Sequence, residues 1–370
     1  MTTGPTVTMN DLSRGMQHDR ADLIAAATQV IDSGYAIHGA QHAAFERELA
    51  DYLHVTEAVG VASGTDALEL AIKALMPEGR REVLTAGNAG AYTSTATVRA
   101  GFTPRYADID RDSLCLSVDT VRAQLDSRVG VVVVTHLYGL RTDLTALREL
   151  VEANGSALVE DCAQAIGAYG ESYAGATGHA GTFSFYPTKN LGAVGDGGAV
   201  VTDSAETAAR LRQLRQYGWS KKYDATLIGG ANSRLDEMQA AFLRVRLPQV
   251  DALNARRREI IARYCAAAAD LDPAVLTLLP ATGPSHAAHL AVGRSADRDR
   301  VRSALLDHGV ATDVHFPIAD WQQPAFAAYA PAEALPNTIA ACAQVLSLPL
   351  FPELRDEEVD VVCAAIRSLG

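Results

Sequence analysis

No run of this sequence approaches the roughly 20 unbroken apolar residues that a helical membrane span requires, so the chain is not expected to cross a bilayer. The N-terminal stretch "MTTGPTVTMNDLSRG" has no basic region followed by an apolar one, which argues against a secretory signal and for a cytoplasmic address. Cysteine is scarce. The five residues (Cys115, Cys162, Cys265, Cys342 and Cys363) are odd in number and show neither C-x-x-C nor Cys/His ligand spacing, which argues against both a disulfide framework and a structural zinc site. They are expected to be reduced, mostly buried thiols, and no metal is expected. Positive charge is also short: 32 Lys and Arg stand against 44 Asp and Glu, a net charge of −12 that would repel a nucleic-acid backbone. The one basic cluster, "NARRREIIARY" from Asn254, has helical spacing and reads as a solvated helix face. Internal repeats and low-complexity segments are lacking too.

What the sequence does hold is a steady alternation of short apolar runs and helical patterns. At 370 residues the chain exceeds the usual size of one hydrophobic core, so a large domain (1–250) and a smaller C-terminal α/β domain (251–370) are expected. "EVLTA" at Glu82, "TPRYADID" at Thr103, "VGVVVVTHLYG" at Val129 and "ALVED" at Ala157 read as strands. "STATVRAG" and "DLTALRELVEANG" between them read as helices, the second closed by Gly155. Repeated strand–helix–strand units imply a mostly parallel sheet covered on both faces. From Arg234 to Arg263 one or two long helices are expected, interrupted near Pro248. Beyond them "SHAAHLAVG", "DRDRVRSALLDHGV" and "TDVHFP" read as a strand–helix–strand unit closed by the helix "DEEVDVVCAAIRSLG".

Ligands of such sheets bind beyond the carboxyl ends of the strands, which singles out Thr135-His136, Asp161 and the loop entered at Ser184. In "SGTDALELAIKAL" an apolar strand ends and a helix opens. Its free N–H groups at Gly64 and Thr65 could hold a phosphate with the Thr65 hydroxyl, although Thr65 also reads as an ordinary N-cap. "LVEDCAQAIGA" sets Glu160 and Asp161 at a strand end, where period two turns only one of them toward a site. That carboxylate could orient a histidine, bind a metal, hold a protonated ring nitrogen or sit in a solvated turn. "SFYPTKNLGAVGDGGAVV" surrounds Lys189 with an incoming apolar strand, a Ser184 donor and a glycine-rich turn that can wrap a bulky ligand. A lysine that attacks a carbonyl must lose its proton, so it needs desolvation or a cationic neighbour and a well-defined backbone.

These elements occur in the order of one known family. Through "SGTDALELA", "HLYG", "VEDCAQAIGA", "FSFYPTKNLGAVGDGGAVVT", "NSRLDEMQAAFL" and "DVHFPIADWQQPAF", nearly the whole chain resembles the DegT/DnrJ/EryC1/StrS sugar aminotransferases, which have the fold-type-I architecture. The resemblance implies pyridoxal 5′-phosphate (PLP), alternating with its amine form PMP, with Lys189 as the lysine that joins it. Asp161 would pair with the pyridine nitrogen and Gln164 with the ring 3-oxygen. Gly64, Thr65 and Ser184 would hold the phosphate, and Asn232 would reach the cofactor of a neighbouring subunit, making the protein a homodimer. Where relatives place a stacking aromatic after a threonine, "GNAGAYTSTAT" has Gly90, and Tyr92 either stacks instead or packs.

The same resemblance implies L-glutamate as donor and a nucleotide-linked keto-6-deoxysugar as acceptor, in amino-sugar and secondary-metabolite biosynthesis. "RQYGWSKKYD" offers Lys221 and Lys222 between Tyr217, Trp219 and Tyr223 for a diphosphate, and resembles the loop of enzymes that aminate dTDP-3-keto sugars; a solvated loop is the alternative. His315 matches a position that lies toward the substrate. A 4-keto sugar or a keto-cyclitol is the alternative acceptor. A sugar dehydratase is disfavoured by the presence of Lys189, and a non-catalytic regulator by the retained site residues.

Overall fold

The computed structural model describes residues 6–370; the first five residues, part of the N-terminal stretch considered for a signal, lie outside the described residues. Seven strands form the main sheet: β1 (Glu57–Val61), β2 (Glu82–Ala86), β3 (Thr103–Ala107), β4 (Val129–Thr135), β5 (Ala157–Asp161), β6 (Ala180–Ser184) and β7 (Gly198–Thr202). Their order across the sheet is β1-β7-β6-β5-β4-β2-β3. Strands β3, β2, β4, β5 and β6 pair in parallel. Every residue of β4 is buried, as an apolar strand covered on both faces requires. One packed layer lies around Leu68, Ile72, Val133 and Leu211 and another around Leu84, Val132, Leu147 and Leu158.

The scaffold is not wholly parallel, because β7 runs antiparallel to both β6 and β1. This reversal places the site. Strand β6 turns back through the lysine loop into β7, and β1 then runs in the direction of β6, so the ends of β1, β4, β5 and β6 reach one edge. Gly198 pairs with Val61 on one side and Ser184 on the other.

After a hairpin of β8 (Trp219–Lys221) and β9 (Asp224–Ala225), the helices Glu237–Arg246 and Val250–Ala268 are separated by a 3-10 turn carrying Pro248. Beyond them, β10 (Thr277–Leu278), β11 (Ala291–Arg294) and β12 (Val345–Leu348) form a three-stranded antiparallel sheet. "TDVHFP" is not the strand expected from its pattern. Only Asp313 bridges, to Ser347, because the segment leaves the sheet edge to cross toward the main sheet. The core around this sheet also takes in Val7, which bridges Val310, so the N-terminal segment packs with the C-terminal residues. Among the described residues no helix is long and apolar enough to cross a membrane.

Candidate active site

The carboxyl ends of β4 and β5 are in register, Thr135 opposite Asp161. The Thr135 hydroxyl donates to Asp161 Oδ2 (3.1 Å) and the Ala163 N–H to Oδ1 (3.1 Å). Asp161 is buried, and burial raises its pKa above the usual carboxylate value against the pull of Ala163, Lys189 and Thr135. Its neighbour Glu160 points to the opposite face, as period two demands. There it receives His136 Nε2 (2.7 Å) and the N–H groups of Gly175, Thr177 and Gly178. His136 Nδ1 accepts the Thr142 N–H (3.0 Å), which puts the ring proton on Nε2. His136, Glu160 and Cys162 thus lie together. The carboxylate is saturated by the hydrogen bonds that hold the 175–178 loop, and neither acid lies in a solvated turn.

Lys189 stands on the loop from β6 to β7. The loop is tied by Phe185 N to Gly197 O, Ala193 N to Phe185 O and Lys189 N to Tyr186 O, each 2.8 Å. Asn190 anchors the next position. Its Nδ2 donates to Asn254 Oδ1 (2.7 Å) and Ala287 O (2.8 Å), and its Oδ1 meets His289 Nδ1 (2.7 Å). Burial lowers the Lys189 pKa, with Asp161 opposing, so the ammonium gives up its proton more readily than a surface lysine.

Ser63, rather than Thr65, caps the helix Gly64–Leu75, accepting the Asp66 N–H at 3.1 Å. This frees the Thr65 hydroxyl. The first helical bond is Ala67 N to Ser63 O (2.9 Å), so the N–H groups of Gly64 and Thr65 precede it, with no acceptor among the described residues. A Cβ on Gly64 would lie 2.5 Å from Ser184 Cβ, and one on Gly198 would lie 2.4 Å from Ser63 O. Only glycines let the helix start come this close to the end of β6.

Gln164 Oε1 accepts the Tyr138 N–H (2.6 Å), leaving the amide NH2 to donate. His315 Nδ1 meets Ser347 Oγ (2.9 Å), and burial lowers its pKa. At Gly90 a Cβ would meet the Phe316 ring at 2.8 Å, and Phe316 stands edge-on to Tyr92 with centroids 6.0 Å apart. Ala91, in the left-handed region, donates its N–H to Asp320 (2.9 Å), which also accepts from Ser94 (2.6 Å). Gly90 therefore accommodates a phenylalanine from the C-terminal part of the chain.

One cavity of about 460 Å³ gathers Gly64, Thr65, Tyr92, Asp161, Gln164, Ser184, Lys189 and His315. Asn232, Tyr217, Lys221, Lys222 and Tyr223 do not line it and are exposed. Tyr217, Trp219 and Tyr223 pack against one another, and Lys222 lies over the Tyr223 ring. The cavity also holds residues that sequence reasoning missed, Arg257 and His289. "NARRREIIARY" is not simply a solvated face: Asn254 and Arg257 are buried, because this side of the helix Val250–Ala268 turns inward, Asn254 to Asn190 and Ile166 and Arg257 to His289 and Leu350. The signal was their i, i+3 spacing, hidden by the arginines on either side. Burial and the nearby cations Lys189 and Arg257 push the His289 pKa down, so its ring is neutral near pH 7.

Along nearly its whole length the chain is similar to known proteins. The profile of the "DegT/DnrJ/EryC1/StrS aminotransferase family" matches residues 17–367. The chain is 39% identical over 358 residues to the dTDP-3-amino-3,4,6-trideoxy-alpha-D-glucose transaminase of Micromonospora megalomicea subsp. nigra, covering 95% of this chain and 96% of the relative. It is 41% identical over 367 residues to the transaminase of the same name from Streptomyces venezuelae, covering 98% and 96%. The crystal structure of S. venezuelae DesV in complex with a ketimine intermediate superposes with a TM-score of 0.93 at 40% identity, covering 99% of this chain and 98% of that one. With the family profile spanning residues 17–367, the chain belongs to the DegT/DnrJ/EryC1/StrS aminotransferase family.

Proposed function

We propose that this protein transfers an amino group from L-glutamate to the ketone of a nucleotide-linked keto-6-deoxysugar, a dTDP-3-keto sugar first, and that it works as a homodimer. The observation that carries the reading is the meeting of Lys189, Asp161 and the unsatisfied helix start at Gly64-Thr65 around one cavity. The residues fit PLP, the cofactor of this family. Asp161 is a buried carboxylate with no salt bridge among the described residues, ready for a cationic ring nitrogen. Gly64, Thr65 and Ser184 present hydrogen-bond donors where a phosphate would sit.

When bound, PLP supplies a carbonyl carbon to carry the amino group and a protonated ring to accept electrons as a Cα–H bond breaks. The rest falls to this chain. Lys189 Nζ, deprotonated with the help of burial, would take the proton from the donor Cα and deliver it to the carbon that had been the cofactor's carbonyl carbon, on the one face that this lysine reaches. Asp161 keeps the ring nitrogen protonated, while Thr135 and Ala163 fix the carboxylate's plane. Gln164 would donate its amide NH2 to the ring 3-oxygen, and Tyr92 and Phe316 line the same cavity. His315, neutral, borders the sugar side of the cavity. We assign Asn232, Tyr217, Lys221, Lys222 and Tyr223 to the cavity of a partner subunit, since they are exposed outside their own. Four of the five free cysteines are buried, in keeping with a cytoplasmic setting. Residues 1–250 carry the cofactor contacts in this reading, and 251–370 close the substrate side.

A spectral half-reaction tests the function. L-Glutamate is expected to bleach the cofactor's visible band, and dTDP-3-keto-6-deoxyglucose to restore it, whereas the 4-keto isomer does not. Recovery with the 4-keto isomer alone overturns the regiochemistry; no bleaching by glutamate overturns amino transfer. The phosphate cradle has its own test. Gly64→Ala pushes a Cβ to 2.5 Å from Ser184 Cβ and 3.1 Å from its Cα, so either the helix start or the strand must retreat. Cofactor affinity in titration of the apoprotein is expected to fall by about tenfold or more, equivalent to roughly 1.4 kcal/mol. Unchanged affinity would remove Gly64 from the cradle.

A further inference from the structure

We infer that Arg257 binds a carboxylate of the amino donor, an assignment that rests on the amino-transfer reading above. Arg257 projects inward from the helix Val250–Ala268 and is 5% exposed. A guanidinium carries five donors and is costly to bury without acceptors. Here Nη1 reaches only the carbonyls of His289 (3.4 Å) and Leu350 (3.3 Å), both beyond the usual range. Nε is buried with no partner among the described residues, and among them no carboxylate lies within ion-pair distance. Its pKa is pushed down to about 10 by burial, which the charge of Glu353 offsets only in part.

The neighbouring arginines show the contrast. Arg256 pairs with Asp356 (2.8 Å), Arg263 with Asp356 (2.8 Å) and Asp360 (2.6 Å), while Arg258 turns to the His286 carbonyl (3.1 Å). Of these residues Arg257 alone lines the cavity of Lys189. Lys189 and Arg257 are the only lysine or arginine among the described residues lining it, and Asp161, Asp196 and Asp313 share its wall. A dicarboxylic donor entering a cavity with three carboxylates needs a fixed cation. Lys189 is engaged in the chemistry, and His289 and His315 have lowered pKa values. Arg257 remains, with a planar fork that matches a carboxylate.

The test uses holoenzyme carrying Arg257, Arg257→Lys or Arg257→Gln and follows the two half-reactions separately. Arg257→Gln is expected to raise the L-glutamate concentration for half-maximal conversion by about 30-fold or more, with Arg257→Lys intermediate. The keto-sugar half-reaction should change by no more than about threefold, because the sugar brings no carboxylate. Glutarate, a dicarboxylate without an amine, should bind wild-type holoenzyme by calorimetry and bind Arg257→Gln at least about tenfold more weakly. Wild type should also discriminate against the α-amide or the γ-amide of glutamate, and the Gln variant should lose that discrimination. Equal damage to both half-reactions points to the sugar diphosphate or to packing and overturns the assignment. If the Gln variant fails to fold, the amides decide on wild type alone: equal use of glutamate and both amides overturns it. Glutarate binding with no bleaching by any donor would instead sink the amino-transfer reading and leave carboxylate recognition standing.

Discussion

Replacing Lys189 with alanine is expected to lower amino transfer by about 10⁴-fold or more while leaving the protein folded, because proton transfer and covalent attachment depend on one nitrogen. The loop does not need that nitrogen. It is held by the backbone bonds Lys189 N to Tyr186 O, Phe185 N to Gly197 O and Ala193 N to Phe185 O, and by the Asn190 side chain on Asn254 and Ala287. The alanine variant should therefore keep its melting temperature and bind the amine form of the cofactor, whose phosphate and ring nitrogen contacts are made by other residues. Steady-state turnover and absorption spectra check both halves of the expectation. Turnover within tenfold of wild type would mean that another base does the work, His289 first among those in the cavity, since Asn190 Oδ1 takes its Nδ1–H and leaves the neutral ring a lone pair on Nε2. A small primary amine added to the variant should recover part of the lost rate if the defect is the missing nitrogen rather than a displaced loop.

Much of this site was legible in the sequence because its parts announce themselves locally. A run such as "VGVVVVT", short and rich in β-branched valine, reads as a strand buried on both faces, and an acid at the end of the next strand has only two faces to choose from. The helix opening at Thr65 and Lys189 amid glycines are likewise short-range signals, although the cap is Ser63 and not Thr65. What escaped depends on long-range contacts. The antiparallel run of β7 could not be read from "GGAVVT", since an apolar alternation is the same in either direction. "TDVHFP" has a strand's composition but leaves the sheet edge, with the Tyr138 hydroxyl donating to the His315 carbonyl and Phe316 against Gly90. Gly90 itself, a departure from the expected aromatic, makes sense only once the phenylalanine from 226 residues later is seen beside it. Arg257 lies between two arginines that are only half-buried, in a run whose composition reads as a solvated face, so local composition pointed away from it. Exposed Lys221 and Lys222 sit outside the cavity of their own chain, a placement no single-chain pattern encodes.

Asp161→Asn should lower turnover by about 10³-fold, the scale of losing one electrostatic contact aimed at developing charge. Asparagine keeps the shape, can still accept the Ala163 N–H on its Oδ1, and can donate from Nδ2 to the Thr135 hydroxyl oxygen where the carboxylate accepted from it, so the strand ends should remain in register and the variant should fold. What it lacks is the negative charge. In the free protein that charge is held in a buried place, where desolvation raises the carboxyl's pKa and the hydrogen bonds and Lys189 only partly offset it. The site thus sustains an unfavourable carboxylate whose benefit appears when a cationic ring nitrogen lies against it. Without it the nitrogen loses its proton and the ring draws electrons from the breaking Cα–H bond less strongly, so the loss should fall on kcat more than on KM. Asp161→Glu separates charge from position. It restores the charge but moves the carboxylate by one methylene, and an ångström-scale misplacement is expected to leave it roughly 10²-fold impaired. Turnover of Asp161→Asn within tenfold of wild type would show that charge at this strand end is dispensable. If both variants fail equally with normal folding, charge and position are required together, and the register of Thr135 and Asp161 serves to hold that charge in place.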